Sequence, residues 1–270
     1  MIVEYLKIYP NFNYYIYLSY TTYRRKRKVG NKMKNELYNL IIEVTRRCNM
    51  GCAHCLRGDA QNIDIDVSYI DSILKDTDYI SVLTFSGGEP SLNIAAIDYT
   101  LKRCQELNIR VGSFYIVTNG KSNVLPLTMS ALKWYSYCEE KDMCGLSLSK
   151  DIFHDDIDSE NESLLRGLSF FTEDKFNDFD RVSLVYSGRA EELGWDHYTD
   201  VDSHNEELDV EYYNDIRSIN SMIYLSANGD IRTNCDTAYD DMEYVIGNLN
   251  ENNFSDIIEN YITVNNESAA

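Results

Sequence analysis

The chain has 270 residues, 44% of them apolar, and carries 25 Lys or Arg against 44 Asp or Glu for a net charge of −19. The length suits one large domain, or one domain with a small appendage, and the composition suits a globular protein with a real core. So acidic a chain repels phosphate backbones, which argues against nucleic acid as a partner, and no apolar stretch reaches the ~20 residues that span a bilayer.

The charge is uneven along the chain. Residues 1–32 hold seven basic side chains, one acid (Glu4) and seven tyrosines, and the rest holds 18 basic and 43 acidic residues. The opening MIVEYLKIYPNFNYYIYLSY is interrupted by Glu4, Lys7 and Pro10. Its basic run RRKRK (Arg24 to Lys28) follows the apolar part instead of preceding it, the wrong order for a signal peptide. Met33 begins MKNELYNLIIEV, which reads like a natural start. Residues 1–32 are therefore expected to be a basic, Tyr-rich extension outside the core fold, residues 33–195 the core, and 196–270 an acidic connection and a C-terminal element.

Tyr38 to Val44 (YNLIIEV) is a short, nearly continuous apolar run, the pattern of a strand buried on both faces. The run EVTRRCNMGCAHCLRG follows, with Cys48, Cys52 and Cys55 spaced by three residues and then two. Three thiolates in one short loop can hold a metal centre. A closed structural site takes four protein ligands, and a site meant for chemistry leaves one corner open. Zinc would need a fourth ligand, and His54 is the nearest candidate, but its place directly before Cys55 suits it poorly to sharing one ion with both neighbours. The other cysteines, Cys104, Cys138, Cys144 and Cys235, are scattered, which speaks for a reducing compartment and not a secreted disulfide framework.

VSYIDSILKD has helical spacing, and Ile80 to Ser86 is a second strand ending in Gly87-Gly88-Glu89-Pro90. Two glycines at a strand end let backbone come close to a ligand. A helix is expected over IAAIDYTLKRCQELN, and a third strand from Val111 to Gly120, ending in Thr118-Asn119-Gly120. A helix follows over LTMSALKWYSYCEEK, then a fourth strand, MCGLSLS, which leads into Ser149, Lys150, Asp151 and His154. ESLLRGLSFFTED reads as helix, and Arg181 to Gly188 as a fifth strand running into Arg189 and Ala190. Strands alternating with helices predict right-handed βαβ units on a parallel sheet, with functional groups at the C-terminal strand ends. From Glu191 to Asp215 there are ten acids and no Lys or Arg, read as a solvated connection in which His197 and His204 are surface residues. Two apolar-alternating runs flank Asn228-Gly229-Asp230, a hairpin signal. FSDIIENYI is amphipathic, and the tail NNESAA is expected to fray.

The cysteine triplet, with GGEP some 30 residues on, resembles the radical S-adenosylmethionine enzymes. The resemblance covers roughly residues 36–190. It implies a partial (β/α)₆ barrel of TIM type with a small C-terminal β-hairpin and helix. It implies a [4Fe–4S] cluster on Cys48, Cys52 and Cys55, whose remaining iron binds the amino and carboxylate groups of S-adenosylmethionine. Reductive cleavage of that cofactor to a 5′-deoxyadenosyl radical, and hydrogen abstraction from a substrate, would follow. Gly87, Gly88, Glu89 and Pro90 match the motif that binds the methionine amino group. Thr118 and Asn119 match polar cofactor contacts. Ser147 and Ser149 stand where relatives place a ribose contact, although Ser149 replaces a common Asp and Asp151 lies two residues further on. Arg189 resembles an arginine that approaches the cofactor carboxylate. His54 takes a position usually aromatic, packed beside the cluster.

NGDIRTNCD with IGNL, near residues 222–249, resembles the start of the SPASM or twitch-like region of peptide-modifying relatives. It has Cys235 alone where such regions need several cysteines, so a second cluster is not expected. The implied function is a radical enzyme acting on a peptide or protein in the cytoplasm, with a flavodoxin or ferredoxin as electron donor and no membrane. Other readings are a small-molecule or nucleotide-modifying member, an inactive cluster-binding module, and a zinc-stabilised binding domain.

Overall fold

The computed structural model describes residues 33–172, 184–194, 198–199 and 207–268. The reading of residues 1–32, and of His197 and His204, lies outside these. Strand β1 (Lys34–Thr45) is followed by helix α1 (Val67–Leu74), β2 (Thr77–Gly87), α2 (Ile94–Leu107), β3 (Arg110–Thr118), α3 (Val124–Tyr137), β4 (Gly145–Leu148), α4 (Ser159–Arg166) and β5 (Phe171–Thr172). Leu37, Leu40, Ile42 and Val44 of β1, with Ile80 and Phe85 of β2 and Phe114 and Ile116 of β3, pack against Ile97 and Leu101 of α2 and Leu127 and Trp134 of α3 in the main core. Side-chain caps mark where helices begin: Asp66 accepts from Ser68 N at 2.8 Å, and Asp158 from Glu160 N at 2.7 Å. Helix α2 ends at Asn108 in the left-handed region (φ 55°), a conformation asparagine tolerates.

The rest of the chain holds β6 (Leu184–Val185), β7 (Tyr198–Thr199), β8 (Val210–Tyr213), β9 (Ile216–Leu225), β10 (Asp230–Arg232), β11 (Val245–Asn248) and helix α5 (Phe254–Ser268). The main sheet runs β11-β10-β9-β1-β2-β3-β4-β5, with β8 also on β9. The six strands from β9 through β5 are parallel, and β8, β10 and β11 join antiparallel. This is a mixed α/β fold with a parallel-dominated sheet.

Two sequence expectations need correction here. The helix expected over residues 162–174 stops at Arg166, with Gly167 as its cap, and Phe171–Thr172 pairs with β4 as the fifth parallel strand on that side. Phe170 stacks on Tyr135 with centroids 4.7 Å apart and meets Phe114 edge-on at 5.6 Å. That aromatic anchoring overrides the helical spacing. The expected fifth strand, residues 181–188, is described only from residue 184. Its Leu184–Val185 forms a separate two-stranded sheet with β7. The hairpin around Asn228-Gly229 is present, but its first strand does more than pair with its partner. Strand β9 lies parallel to β1 from Lys34↔Ile216 to Ile42↔Leu225, so the C-terminal element is continuous with the main sheet.

Candidate functional site

The C-terminal ends of β1, β2, β3 and β4 surround one cavity of about 170 Å³. Cys48, Cys52 and Cys55 line it together with Gly87, Gly88, Glu89, Pro90, Asn119 and Ser149. His54, His154 and Arg57 also reach it, and so does Asp236, which no local motif marks.

The cysteine loop leaves β1 and is held mostly by main-chain bonds. Gly88 N and Glu89 N donate to Thr45 O and Arg47 O, both at 2.8 Å, which continues the β1–β2 pairing past the strand ends. Side chains are barred from this approach. A Cβ on Gly87 (φ +144°) would sit 2.2 Å from Thr45 O, and one on Gly88 would sit 2.3 Å from Arg47 O. From β3, Asn119 Nδ2 donates to Asn49 Oδ1 at 2.9 Å and lies 3.9 Å from Cys48 Sγ. From the segment after β6, Arg189 N donates to Cys55 O at 3.0 Å. Gly188 precedes it at φ +58°, where a Cβ would lie 2.4 Å from Leu56 O. From the segment after β10, Tyr239 N donates to Arg57 O at 3.2 Å, and Arg57 Nη1 returns a bond to Thr237 O at 2.9 Å.

Glu89 is 1% exposed. Its Oε1 accepts from Thr118 Oγ1 at 2.6 Å and Ser91 N at 3.0 Å, and its Oε2 from Asn119 N at 2.8 Å. Burial raises its carboxyl above the usual range, and those three bonds pull the other way. The sequence suggests Glu89 as an acceptor for an ammonium; in the structure its carboxylate ties the end of β2 to the end of β3. Thr118 faces Glu89 and not the cavity lining. Ser147 accepts from Tyr115 Oη at 2.8 Å, is buried, and is not among the lining residues. Arg189 reaches Asp59 with Nη1 at 3.0 Å, and its Nε is buried without a partner.

The three cysteines are half-buried and free. Burial raises the Cys48 thiol, and it pushes Cys52 up to about 11 with the help of repulsion from Cys48, Cys55 and Asp151. Three thiolates brought this close repel one another, and a cationic metal centre would reverse that cost. Among the described residues no fourth protein ligand joins the group. The His54 ring is turned toward another loop, stacked on Phe153 with centroids 4.7 Å apart, its Nε2 3.5 Å from Asp151 Oδ2. A donor set of three cysteines with His54 engaged elsewhere fits a [4Fe–4S] cluster with one iron left to an outside ligand better than it fits zinc.

Arg57, at the cavity, is backed by Tyr224, which packs with Cys235. The Arg57 guanidinium lies 4.9 Å over the Tyr224 ring. Cys235 is fully buried with Ile41, Met222 and Tyr224, and burial raises its thiol far above the ordinary value. Cys104, Cys138 and Cys144 are buried in the main core.

A family model described as a 4Fe-4S single cluster domain matches residues 40–124. The matched segment contains all three cysteines, the glycine turn and Asn119, and supports the relationship to radical S-adenosylmethionine enzymes that the cysteine spacing suggests. A protein of Methanocaldococcus jannaschii is 33% identical over 78 residues, an alignment that covers 27% of each chain. The chain thus matches about a quarter of that relative's length. Among solved structures, the chain is similar to native anSMEcpe with bound AdoMet and Cp18Cys peptide (13% identity, TM-score 0.49, 83% of this chain and 80% of that one). It is also similar to SuiB of Streptococcus suis bound to its precursor peptide SuiA (13% identity, TM-score 0.40, 83% of this chain and 65% of that one).

Proposed function

We propose that this chain is a radical S-adenosylmethionine enzyme in which Cys48, Cys52 and Cys55 are the protein ligands of a [4Fe–4S] cluster and the cofactor occupies the cavity beside them. The observation that carries the reading is the convergence of three half-buried thiols, a glycine turn without side chains and Asn119 on one cavity. When bound, cluster and cofactor supply an electron and a 5′-deoxyadenosyl radical that removes hydrogen from a substrate.

The chain's own residues do the rest. Gly87 and Gly88 give a wall on which main-chain groups are the contacts. Glu89, saturated by Thr118, Asn119 and Ser91, keeps that wall in place. Ser149 and Asn119 offer polar contacts on the facing strand ends, and the unpartnered Nε of Arg189 is available to a carboxylate that reaches it. Ser147, buried and bonded to Tyr115, holds β4 to β3 and offers no contact to the cavity. The six parallel strands are read as a partial (β/α)₆ barrel, its interior reached from the cavity. The C-terminal remnant favours a peptide or protein substrate, and a flavodoxin or ferredoxin in the cytoplasm suits the reductant. Among the described residues no helix is long and apolar enough to cross a membrane.

The test is anaerobic reconstitution with iron and sulfide, followed by S-adenosylmethionine and a strong reductant. About four irons per chain and release of 5′-deoxyadenosine are expected. Zinc bound in place of iron overturns the cluster assignment, and a cluster without cofactor cleavage makes the chain a binding module. A peptide substrate is checked separately, by asking whether a peptide encoded beside this gene gains a modification.

A further inference from the structure

The cavity wall includes a side-chain group that the proposed function leaves unused. Asp151, on the loop after β4, is its hub. Its Oδ1 accepts from His154 Nδ1 at 2.7 Å and from Phe153 N at 2.8 Å. Its Oδ2 lies 3.5 Å from His54 Nε2. Phe153 stacks on the His54 ring, and His154 meets that ring edge-on at 5.0 Å. One four-residue stretch therefore clamps the ring of His54 from two sides and at one nitrogen. His54 stands between Cys52 and Cys55, so whatever fixes its ring fixes the loop that carries two of the three thiols. The His54 side chain is nine-tenths buried.

Two other uses of the group are weaker. The three residues bring ligand atoms within 4.8 Å of one another, compact enough for a metal ion. A metal-bound imidazole, however, needs a partner for its second nitrogen, and His54 Nδ1 is buried with none. A solvated charge cluster would be exposed, whereas both histidines of this one line the cavity and their side chains are nine-tenths buried.

We propose that Asp151 is a positioning residue for the cysteine loop, acting through His54, and that its negative charge also holds the bound cluster harder to reduce. This rests on the cluster assignment above. The first part follows from the clamp. The second follows from Coulomb's law: the carboxylate lies 3.5 Å from the ring of His54, which stands between Cys52 and Cys55, so an electron added to the cluster meets a negative charge beside that loop, and net charge and nearby hydrogen bonds are levers on cluster potential.

The two parts separate by substitution. Asp151→Asn keeps an acceptor for Phe153 N and His154 but removes the charge. It should keep the parent's iron content and move the cluster potential, followed by electron paramagnetic resonance during redox titration, to a more positive value. Asp151→Ala removes the clamp as well, and the cluster should be stripped by a chelator about tenfold faster, the scale on which outer-shell partners act. His54→Phe keeps the stack on Phe153 without the polar contact; in that background Asp151→Ala should add little further loss. Asp151→Ala with the parent's stripping rate, or an equal loss with and without His54, overturns the positioning role. An unmoved potential in Asp151→Asn overturns the charge effect. A parent protein that takes up no cluster overturns the proposed function first and this inference with it; a parent with a full cluster and unaffected variants overturns the inference alone.

Discussion

Two segments of this chain bring cysteine to the same end of the sheet, and they treat it in opposite ways. The loop after β1 presents three half-buried thiols to a cavity. The segment after β10 presents one, Cys235, sealed among Ile41, Met222 and Tyr224. The first loop is held by main-chain bonds from the segments after β2, β6 and β10, with Asn119 adding a side-chain bond from the end of β3, and its three thiols are left to face the cavity. The second is tied by buried guanidiniums, Arg232 donating to Ala238 O at 3.2 Å and Tyr239 O at 3.1 Å and Arg57 to Thr237 O, and its thiol serves as packing.

The sharpest way to break this contrast is to remove thiols from the first loop. Cys48→Ala, Cys52→Ala and Cys55→Ala should each abolish bound iron and cofactor cleavage, and a variant that keeps both contradicts the ligand assignment. Next comes the backbone itself. Gly88→Ala drives a Cβ to 2.3 Å from Arg47 O, and should lower unfolding free energy by about 3 kcal/mol in a denaturant titration. A neutral result would mean that the β1–β2 end contact is not tight. Glu89→Gln turns an amide N–H₂ toward donors that now meet a carboxylate, and should cost about 2 kcal/mol and weaken cofactor binding measured by calorimetry. Smallest is the second segment. Cys235→Ala should keep the parent's full iron content and cost about 1 kcal/mol of stability, the price of a small cavity. Iron falling by half would show that the two segments are not so different.

The strands and helices from β1 to β4 are legible because each is a self-contained pattern: apolar runs such as YNLIIEV, and helical spacing such as that of VSYIDSILKD and IAAIDYTLKRCQELN. The cysteine triplet and the glycine turn are legible for the same reason, being local. Three features are not. Helix spacing over ESLLRGLSFFTED gives no hint that Phe170 finds Tyr135 and Phe114, which turns the segment into strand after Gly167. The hairpin signal at Asn228-Gly229 does not say that β9 will lie parallel to β1, a pairing between residues some 180 positions apart. The hold of Asp151 on His54 is also a long-range event. In the sequence Asp151 is one acid after a strand, and the signal that could have marked it is its company: a carboxylate, an aromatic and a histidine in the four-residue stretch 151–154, just past the end of a parallel strand.

Gly188 shows where this scaffold can change and where it cannot. Its left-handed backbone lets a late stretch of the chain settle onto Leu56 and Gly58 with nothing between them. Such seams are indifferent to the identity of nearly every neighbouring side chain and intolerant of a single methyl group at the seam. A lineage could therefore rebuild the walls facing its target molecule many times over while the grip on the cysteines stayed as it was.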